Sequence, residues 1–305
     1  MTNVFVVIIN WNRKADTLSC LKSLDKLSID NFKLSVIVVD NASVDDSVSA
    51  IKKFNAKNFT LETVVNADNL GFAEGNNIGI NYALGKKADY VLLLNNDTLV
   101  HKDLLVSMLE TMKENNSIAA VSPKIYFAPG FEFHRKRYKK SDKGKVVWSA
   151  GGAMDWNNIF GNNIGVDAVD KGQFEKQCDI DFATGACVLF RAKALREVGF
   201  FNPKYFMYFE DTDISTRLVN KKWKIVYCPK AVLWHKVAQS SGIGGELNDY
   251  FITRNRLLFG FKYASLRTKV ALVRESIKAL KRGRKWQKRG VVDFYTHNFG
   301  KGSWK

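Results

Sequence analysis

Three groups of carboxylates each follow an apolar run: Asp40 after residues 36–39, Asp97 after 90–94, and Glu210, Asp211 and Asp213 after 205–209. Such runs read as strands, and in an α/β sheet the carboxyl ends of parallel strands form the ligand crevice. The first two acids should meet at that edge, with the third group folded in beside them. Acids gathered there would repel phosphate unless a cation stood between, so the pattern suits a metal-bound nucleotide. Plainer readings exist for two of the groups. Asp40 stands before Asn41 and Ser43, as a turn or capping aspartate would. Acids at a helix start are favoured by the dipole, by up to about 1 kcal/mol each.

The elements that would hold these residues alternate over the first hundred positions. Residues 4–9 read as a buried strand, 15–27 as a helix, 34–39 as a strand, and 45–54 as a helix with Ser43 as its cap. A strand at 61–65, a helix at 73–84, a strand at 90–94 and a helix at 103–115 continue the alternation. This order predicts an α/β fold with a mostly parallel sheet and right-handed crossovers. The runs VFVVII, VIVV and YVLLL are almost wholly apolar, as strands covered on both faces are. After Pro123 the pattern breaks. Residues 127–145, with Arg135, Lys136, Arg137, Lys139 and Lys140, read as a mobile surface loop, and the Gly and Asn of 151–165 as turns and short strands. Strand or helix patterns return at 181–191, 193–198, 213–220, 224–227 and 231–234.

With 305 residues, 46% of them hydrophobic, the chain can bury one substantial core and an appendage. The expected division is an α/β domain over 1–245 and a basic, aromatic-rich helical region over 246–305. The net charge of +17 is uneven: residues 254–305 hold 15 Lys and Arg against Glu275 and Asp293, a net of +13. Such a block predicts a polyanionic surface as partner, an anionic membrane or nucleic acid, or else a merely solvated helix. Within it Leu266, Val270, Val273, Ile277 and Leu280 step by four and three, flanked by Arg267, Lys269, Arg274, Lys278, Lys281 and Arg282. This amphipathic row fits a bilayer surface or the chain's own α/β domain. Cys20, Cys178, Cys187 and Cys228 lack the spacing of a zinc site and the density of a disulfide scaffold, which suits a reducing cytosol. The first ten residues lack the form of a secretory leader, and no apolar run nears the roughly 18 residues that span a bilayer.

Seven short stretches occur in a telling order: IINWNR at 8–13, VVDNAS at 38–43, NLGFAEGNN at 69–77, LLLNNDT at 92–98, GACVLFR at 185–191, FEDTD at 209–213 and WH at 234–235. Together they resemble glycosyltransferase family 2, in its rhamnosyltransferase-like branch, from about 4 to 242. The resemblance implies a GT-A fold and an inverting, metal-dependent transfer of a sugar from a UDP or dTDP carrier to a hydroxyl. Rhamnose is the first donor expected. The acceptor would be a glycan or lipid-linked glycan in cell-surface polysaccharide assembly, met by a cytoplasmic enzyme peripheral on the inner face of the membrane. The oligomeric state stays open.

By the same resemblance, Asp40 would accept the N3 hydrogen of uracil or thymine, beside Asn10, Asn12 and Asn41. Gly71 and Phe72 would lie against the nucleotide, with Asn76 reaching base or ribose. Asn95, Asn96 and Asp97 stand where richer acidic metal motifs occur. Asp97 is then the one firm carboxylate ligand to Mn²⁺ or Mg²⁺, with His235 a candidate nitrogen ligand or a structural histidine. Asp211 aligns with the catalytic base, Glu210 would orient the acceptor or a neighbouring side chain, and Asp213 would cap the following helix. Thr184 and Gly185 would shape the sugar pocket, while Ser240, Ser241, Gly242 and Arg254 would close over the diphosphate.

Two other classes compete. A basic α/β protein binding nucleic acid would use the C-terminal charge, yet it leaves the acids at strand ends without a role, so no nucleic acid partner is expected. A sugar nucleotidyltransferase calls for a glycine-rich basic loop after the first strand, and residues 10–14 contain no glycine.

Overall fold

The computed structural model describes residues 1–237 and 245–304. It opens with β1 (Thr2–Asn10), α1 (Lys14–Leu24), β2 (Phe32–Asp40), α2 (Ser47–Lys52), β3 (Thr60–Val65), α3 (Gly71–Gly85) and β4 (Tyr90–Asn95). These strands pair in parallel in the order β3-β2-β1-β4. The register sets Asn10 beside Asp40 and Ile9 beside Asn95, so the strand ends bearing the polar residues line up. Residues on alternate sides of each strand feed two cores. Val4, Val6 and Ile8 pack with α1 residues such as Leu21, and Phe5 and Val7 pack with α3 residues such as Ile80.

The second half is mixed. It comprises β5 (Thr98–Val100), α4 (Leu104–Glu114), β6 (Ile118–Phe127), β7 (Val147–Ser149), β8 (Gly152–Asp155), β9 (Phe160–Asn163), β10 (Cys178–Asp179) and β11 (Cys187–Arg191). There follow α5 (Ala192–Val198), a 3₁₀ turn (Pro203–Tyr205), α6 (Glu210–Asn220) and β12 (Lys224–His235). Strand β11 runs antiparallel between β4 and β6, and β12 runs parallel to β6 and antiparallel to β5. The sheet is therefore mixed, parallel along the β3-β2-β1-β4 half. The antiparallel insertion matters for the site, because it turns the start of β11 toward the end of β4: Asn95 N donates to Ala186 O at 2.9 Å.

Three local expectations need correction. Strand β6 continues through Pro123. On one edge Pro123 falls between the positions paired to β11 and those paired to β7, and on the other it meets the irregularity after Cys228, so its missing N–H disturbs little. The two strand patterns at 224–227 and 231–234 form one bulged strand, β12. Ser43 does not cap α2, whose N-terminal residue is Asp46 without a side-chain cap; the Ser43 hydroxyl instead donates to Asp40 at 2.7 Å.

The chain ends in α7 (Glu246–Tyr263), α8 (Leu266–Arg282) and α9 (Lys285–Tyr295). They share a core of Leu257, Phe259, Leu272, Val291 and Phe294, which also takes in Tyr205 and Phe209 from the segment before α6. Among the described residues no helix is long and apolar enough to cross a membrane.

Candidate active site

The strand ends open into a cavity of ≈ 860 Å³, within the range usual for small-molecule sites. One wall comes from Trp11, Arg13, Asn41, Gly71 and Phe72; the floor from Asn95, Asn96, Asp97, Thr184 and Gly185; the far wall from Glu210, Asp211 and α7. Asp97 and Asp211, distant in sequence, thus face one space. They are joined through the floor, because Asp211 Oδ2 accepts from Gly185 N at 3.1 Å and Ala186 O accepts from Asn95 N.

Asp97 and His235 meet because β12 ends antiparallel to β5, with His235 opposite Thr98 and Lys236 N donating to Asp97 O at 2.9 Å. His235 Nε2 lies 3.0 Å from Asp97 Oδ1. The pair lacks the alignment of a hydrogen bond, and both Asp97 Oδ1 and His235 Nδ1 are buried without a hydrogen-bond partner among the described residues. Burial pushes the Asp97 carboxyl up, but the His235 imidazole, backbone donors and Lys236 together outweigh it and hold the group below the usual carboxylate range. An unsatisfied buried carboxylate oxygen beside an imidazole nitrogen fits a divalent cation. Two ligands at about 2.1 Å on neighbouring corners of an octahedron stand about 3.0 Å apart. Among the described residues no cluster of three His, Cys, Asp or Glu side chains could hold a metal. Oxygens from a diphosphate and water would have to complete the shell.

Glu210 and Asp211 stand at the first turn of α6, and their placement depends on a tense approach. Phe206, Tyr208 and Phe209 all have positive φ, at 64°, 66° and 73°, costly for non-glycine residues unless the surroundings enforce them. Asn255 supplies that enforcement: its Nδ2 lies 2.9, 2.7 and 2.9 Å from the carbonyl oxygens of Tyr205, Met207 and Tyr208. Arg254 Nη2 adds donors to Lys204 O at 3.2 Å and Tyr205 O at 3.0 Å. Phe206 in turn stacks on Phe251 and covers Gly71, where an added Cβ would meet its ring at 2.4 Å. Gly71 is required twice over, by its φ of 79° and by this contact.

The two acids differ in what supports their charge. Glu210 is 5% exposed, and Oε2 has no hydrogen-bond partner among the described residues. Burial, and then the neighbouring Asp211 charge, pushes its carboxyl well up. Asp211 is also pushed up by burial, opposed by donors from Gly185 N, Thr212 N and the Thr212 hydroxyl. Glu210 is thus the acid pushed further from ionisation, and Asp211 the one whose charged form the chain supports with donors.

The nucleotide-side residues divide. Asn41, Gly71, Phe72 and Asn96 line the cavity, whereas Asn10, Asn12, Asp40 and Asn76 do not. Asp40 is fully buried and accepts from Asn10 Nδ2 at 2.6 Å, Ser43 N at 2.8 Å and the Ser43 hydroxyl at 2.7 Å. The expected contact with a base is not made in this structure, where its carboxylate ties β1 to the turn after β2. Asn12, at φ 53°, holds the same turn through Ser43 Oγ and Val44 N, and Asn76 Nδ2 donates to Phe72 O inside α3.

Arg254 is corrected likewise. It is fully buried behind the 204–205 segment and does not reach the cavity, because backbone carbonyls take its donors. Asp213 does not cap α6. It sits in the helix's first turn, fully buried, with Arg217 Nε at 2.8 Å, Lys262 Nζ at 3.0 Å and the Tyr263 hydroxyl at 2.8 Å, joining α6 to α7. Thr184 and Gly185 line the floor. Ser240, Ser241 and Gly242 lie outside the described residues.

Sequence reading passed over three features of the cavity. Trp11 is 47% exposed at its mouth and Arg13 is the cation on the nucleotide wall; both sat inside a quoted motif without a role. The third is the apolar rim of Phe160, Phe182, Leu247 and Ile252, assembled from the β8–β9 hairpin, the turn before β11 and α7. No local pattern joins those segments.

Comparisons with known proteins agree with this geometry. Over 229 residues the chain is 28% identical to a poly-β-1,6-N-acetyl-D-glucosamine synthase of Staphylococcus epidermidis, covering 74% of this chain and 47% of the relative. It therefore spans about half the length of that protein. A stretch of 63 residues is 41% identical to an N-acetylglucosaminyl-diphospho-decaprenol L-rhamnosyltransferase of Mycobacterium tuberculosis, 21% of this chain and 20% of the relative. Among solved structures, a mannosyltransferase of Pyrobaculum calidifontis in complex with GDP-Man and Mn²⁺ superposes with a TM-score of 0.56 at 16% identity, over 99% of this chain and 87% of that one. That likeness is one of fold, the GT-A glycosyltransferase fold. Residues 5–199 match the family model for glycosyl transferase family 2, and the chain belongs to that family of sugar-transferring enzymes.

Proposed function

We propose that the protein transfers a sugar with inversion from a nucleoside diphosphate carrier to a hydroxyl of a glycan or lipid-linked acceptor, in the assembly of a cell-surface polysaccharide. The observation that carries this reading is one cavity holding both the Asp97–His235 pair, with its unsatisfied oxygen, and the Glu210–Asp211 pair. Asp211 takes the proton of the acceptor hydroxyl as that oxygen bonds to the anomeric carbon. The anomeric bond to the diphosphate breaks, and its electron pair leaves with the phosphate. Asp97 and His235 would hold Mn²⁺ or Mg²⁺, which when bound supplies positive charge to the departing diphosphate. A nitrogen ligand favours Mn²⁺ of the two.

With its carboxyl pushed up by burial, Glu210 in its protonated form would leave a single negative charge at the base and offer a hydrogen to the acceptor. Trp11 and Asn41 flank the place for the nucleoside, and Asp40 shapes that wall from behind through Asn10 and Ser43. A pyrimidine carrier, UDP or dTDP, is the first expectation, with rhamnose on dTDP foremost; the rhamnosyltransferase likeness supports it over a short stretch. The reading includes a peripheral place at the inner face of the membrane, where a lipid-linked acceptor would be met.

Thermal unfolding with UDP, dTDP and GDP, each with and without Mn²⁺, tests the assignment. A pyrimidine diphosphate at about 100 times its Kd should stabilise by about 2.7 kcal/mol, a rise of several degrees, only when Mn²⁺ is present. Slow Mn²⁺-dependent hydrolysis of the matching nucleotide sugar should accompany it. A melting point unmoved by every diphosphate would refute the reading, and a rise with GDP alone would refute the pyrimidine carrier.

A further inference from the structure

Helix α8 leaves a long apolar row uncovered. Its inward residues are Thr268, Leu272 and Ser276, with Leu272 packed on α7 at Gly260. The row of Leu266, Val270, Val273, Ile277 and Leu280 faces outward instead, at 79%, 45%, 37%, 50% and 42% exposure. Beside it Arg267, Arg274, Lys278 and Lys281, spaced seven, four and three apart, form a second exposed row. Residues three and four apart share a helix face, so the two rows run side by side along the axis. The one acid of α8, Glu275, pairs with Arg256 of α7 at 2.5 Å and does not oppose the cationic row.

We propose that this face docks on the anionic surface of a lipid bilayer, with the apolar row entering the headgroup boundary and the basic row meeting lipid phosphates. Charge complementarity selects this occupant. The region from 254 onward carries a net of +13, and a helix with an apolar row flanked by Lys and Arg has the form of an interfacial helix. A second copy of the chain would instead set two regions of net +13 against each other. Helix α8 is also tied to the cavity rim, through the side that carries Glu275, away from the docked row. Arg256, which holds Glu275, donates from Nε to Asn158 O at 2.7 Å and lies over the Phe160 ring at 4.8 Å, and Phe160 belongs to the cavity rim. A lipid-linked acceptor would then be met by an enzyme already held at the bilayer. This last step rests on the transferase reading; the docking itself does not.

The test uses the full chain in flotation with phosphatidylcholine vesicles and with vesicles carrying phosphatidylglycerol as one lipid in three. Binding to the anionic vesicles alone, weakened by salt, is expected. The pairs Val270→Glu with Ile277→Glu, and Arg274→Glu with Lys278→Glu, should each lower partitioning roughly tenfold or more, while melting point and Mn²⁺-dependent donor hydrolysis stay unchanged. The proposal is overturned if the wild type stays off anionic vesicles, if either pair floats as well as the wild type, or if light scattering shows a dimer that Ile277→Glu dissociates. It is equally overturned if nucleic acid is retained through the same basic row with no vesicle binding. Donor hydrolysis without flotation sinks docking alone, and flotation without hydrolysis of any donor sinks the transferase reading alone.

Discussion

The acids at the ends of β2 and β4 look alike in sequence and live differently in the fold. Asp40 is closed off by three internal donors, Asn10 Nδ2 and both the amide and hydroxyl of Ser43. Asp97 keeps a buried oxygen with no hydrogen-bond partner, 3.0 Å from an imidazole nitrogen. The same contrast recurs on α6, where Asp213 is saturated by Arg217, Lys262 and Tyr263, and Glu210, three residues before it, has an unsatisfied oxygen. A buried acid whose lone pairs are filled by the chain is scaffold. One left unfilled and also facing the cavity, as Asp97 and Glu210 are, is where a ligand can complete the structure.

The widest separation between the two kinds of acid should be seen at Asp211. Asp211→Asn keeps the shape and the Gly185 contact but removes the proton acceptor, and turnover should fall about 10²- to 10⁴-fold with nucleotide affinity retained. In the wild type the activity should drop on acidification, at a pH above that of an ordinary aspartate, because burial raises the Asp211 carboxyl and only its ionised form accepts a proton. Turnover of Asp211→Asn within a factor of about ten of wild type would remove it from the base role.

A smaller effect is expected at the cation. Asp97→Ala should weaken Mn²⁺-dependent binding of the nucleoside diphosphate by at least the roughly 10–100-fold seen when a ligand's own support is lost. The melting point without nucleotide should fall at neutral pH, since the depressed Asp97 carboxyl contributes stability through His235 and Lys236, so affinity is compared well below it. Titration calorimetry showing equal affinity with and without the carboxylate would erase the contrast between Asp97 and Asp40.

How far the sequence reaches follows from the range of the physics involved. An apolar run ending in an acid is a local signal, and it placed Asp40 and Asp97 at strand ends; the run at 205–209 also reads as a strand, but it forms a 3₁₀ turn and a positive-φ approach to α6. The pairing of His235 with Asp97 was legible through resemblance, since the β5–β12 contact that makes it spans well over a hundred residues. What stayed hidden is which polar groups the chain satisfies itself. Arg254 reads as a cation for a diphosphate until the carbonyls of Lys204 and Tyr205, some fifty residues earlier, are seen to take its donors. Its neighbour Asn255, which holds the approach to Glu210 and Asp211, carries no mark in sequence at all. Saturation depends on tertiary partners, and neither periodicity nor spacing encodes it.

Asp40 offers the finest test of that principle, because its two readings predict opposite readouts. If it is scaffold, Asp40→Asn loses stability. The new amide can accept from Ser43 N, but its NH₂ then faces the Asn10 NH₂. Asn10 cannot turn over without giving up the Thr17 hydroxyl, which donates to Asn10 Oδ1 at 2.6 Å. One donor is left facing another in a fully buried place, a loss of about 1–3 kcal/mol. In a chain of this size that lowers the melting point by a few degrees. Diphosphate affinity, measured well below the melting point, should change less than threefold, since the carboxylate does not reach the cavity. If the affinity for UDP or dTDP instead falls tenfold with an unchanged melting point, the carboxylate meets the base after all. The turn at residues 40–44 would then have to open for the nucleotide, and saturation in the free enzyme would no longer separate scaffold from site.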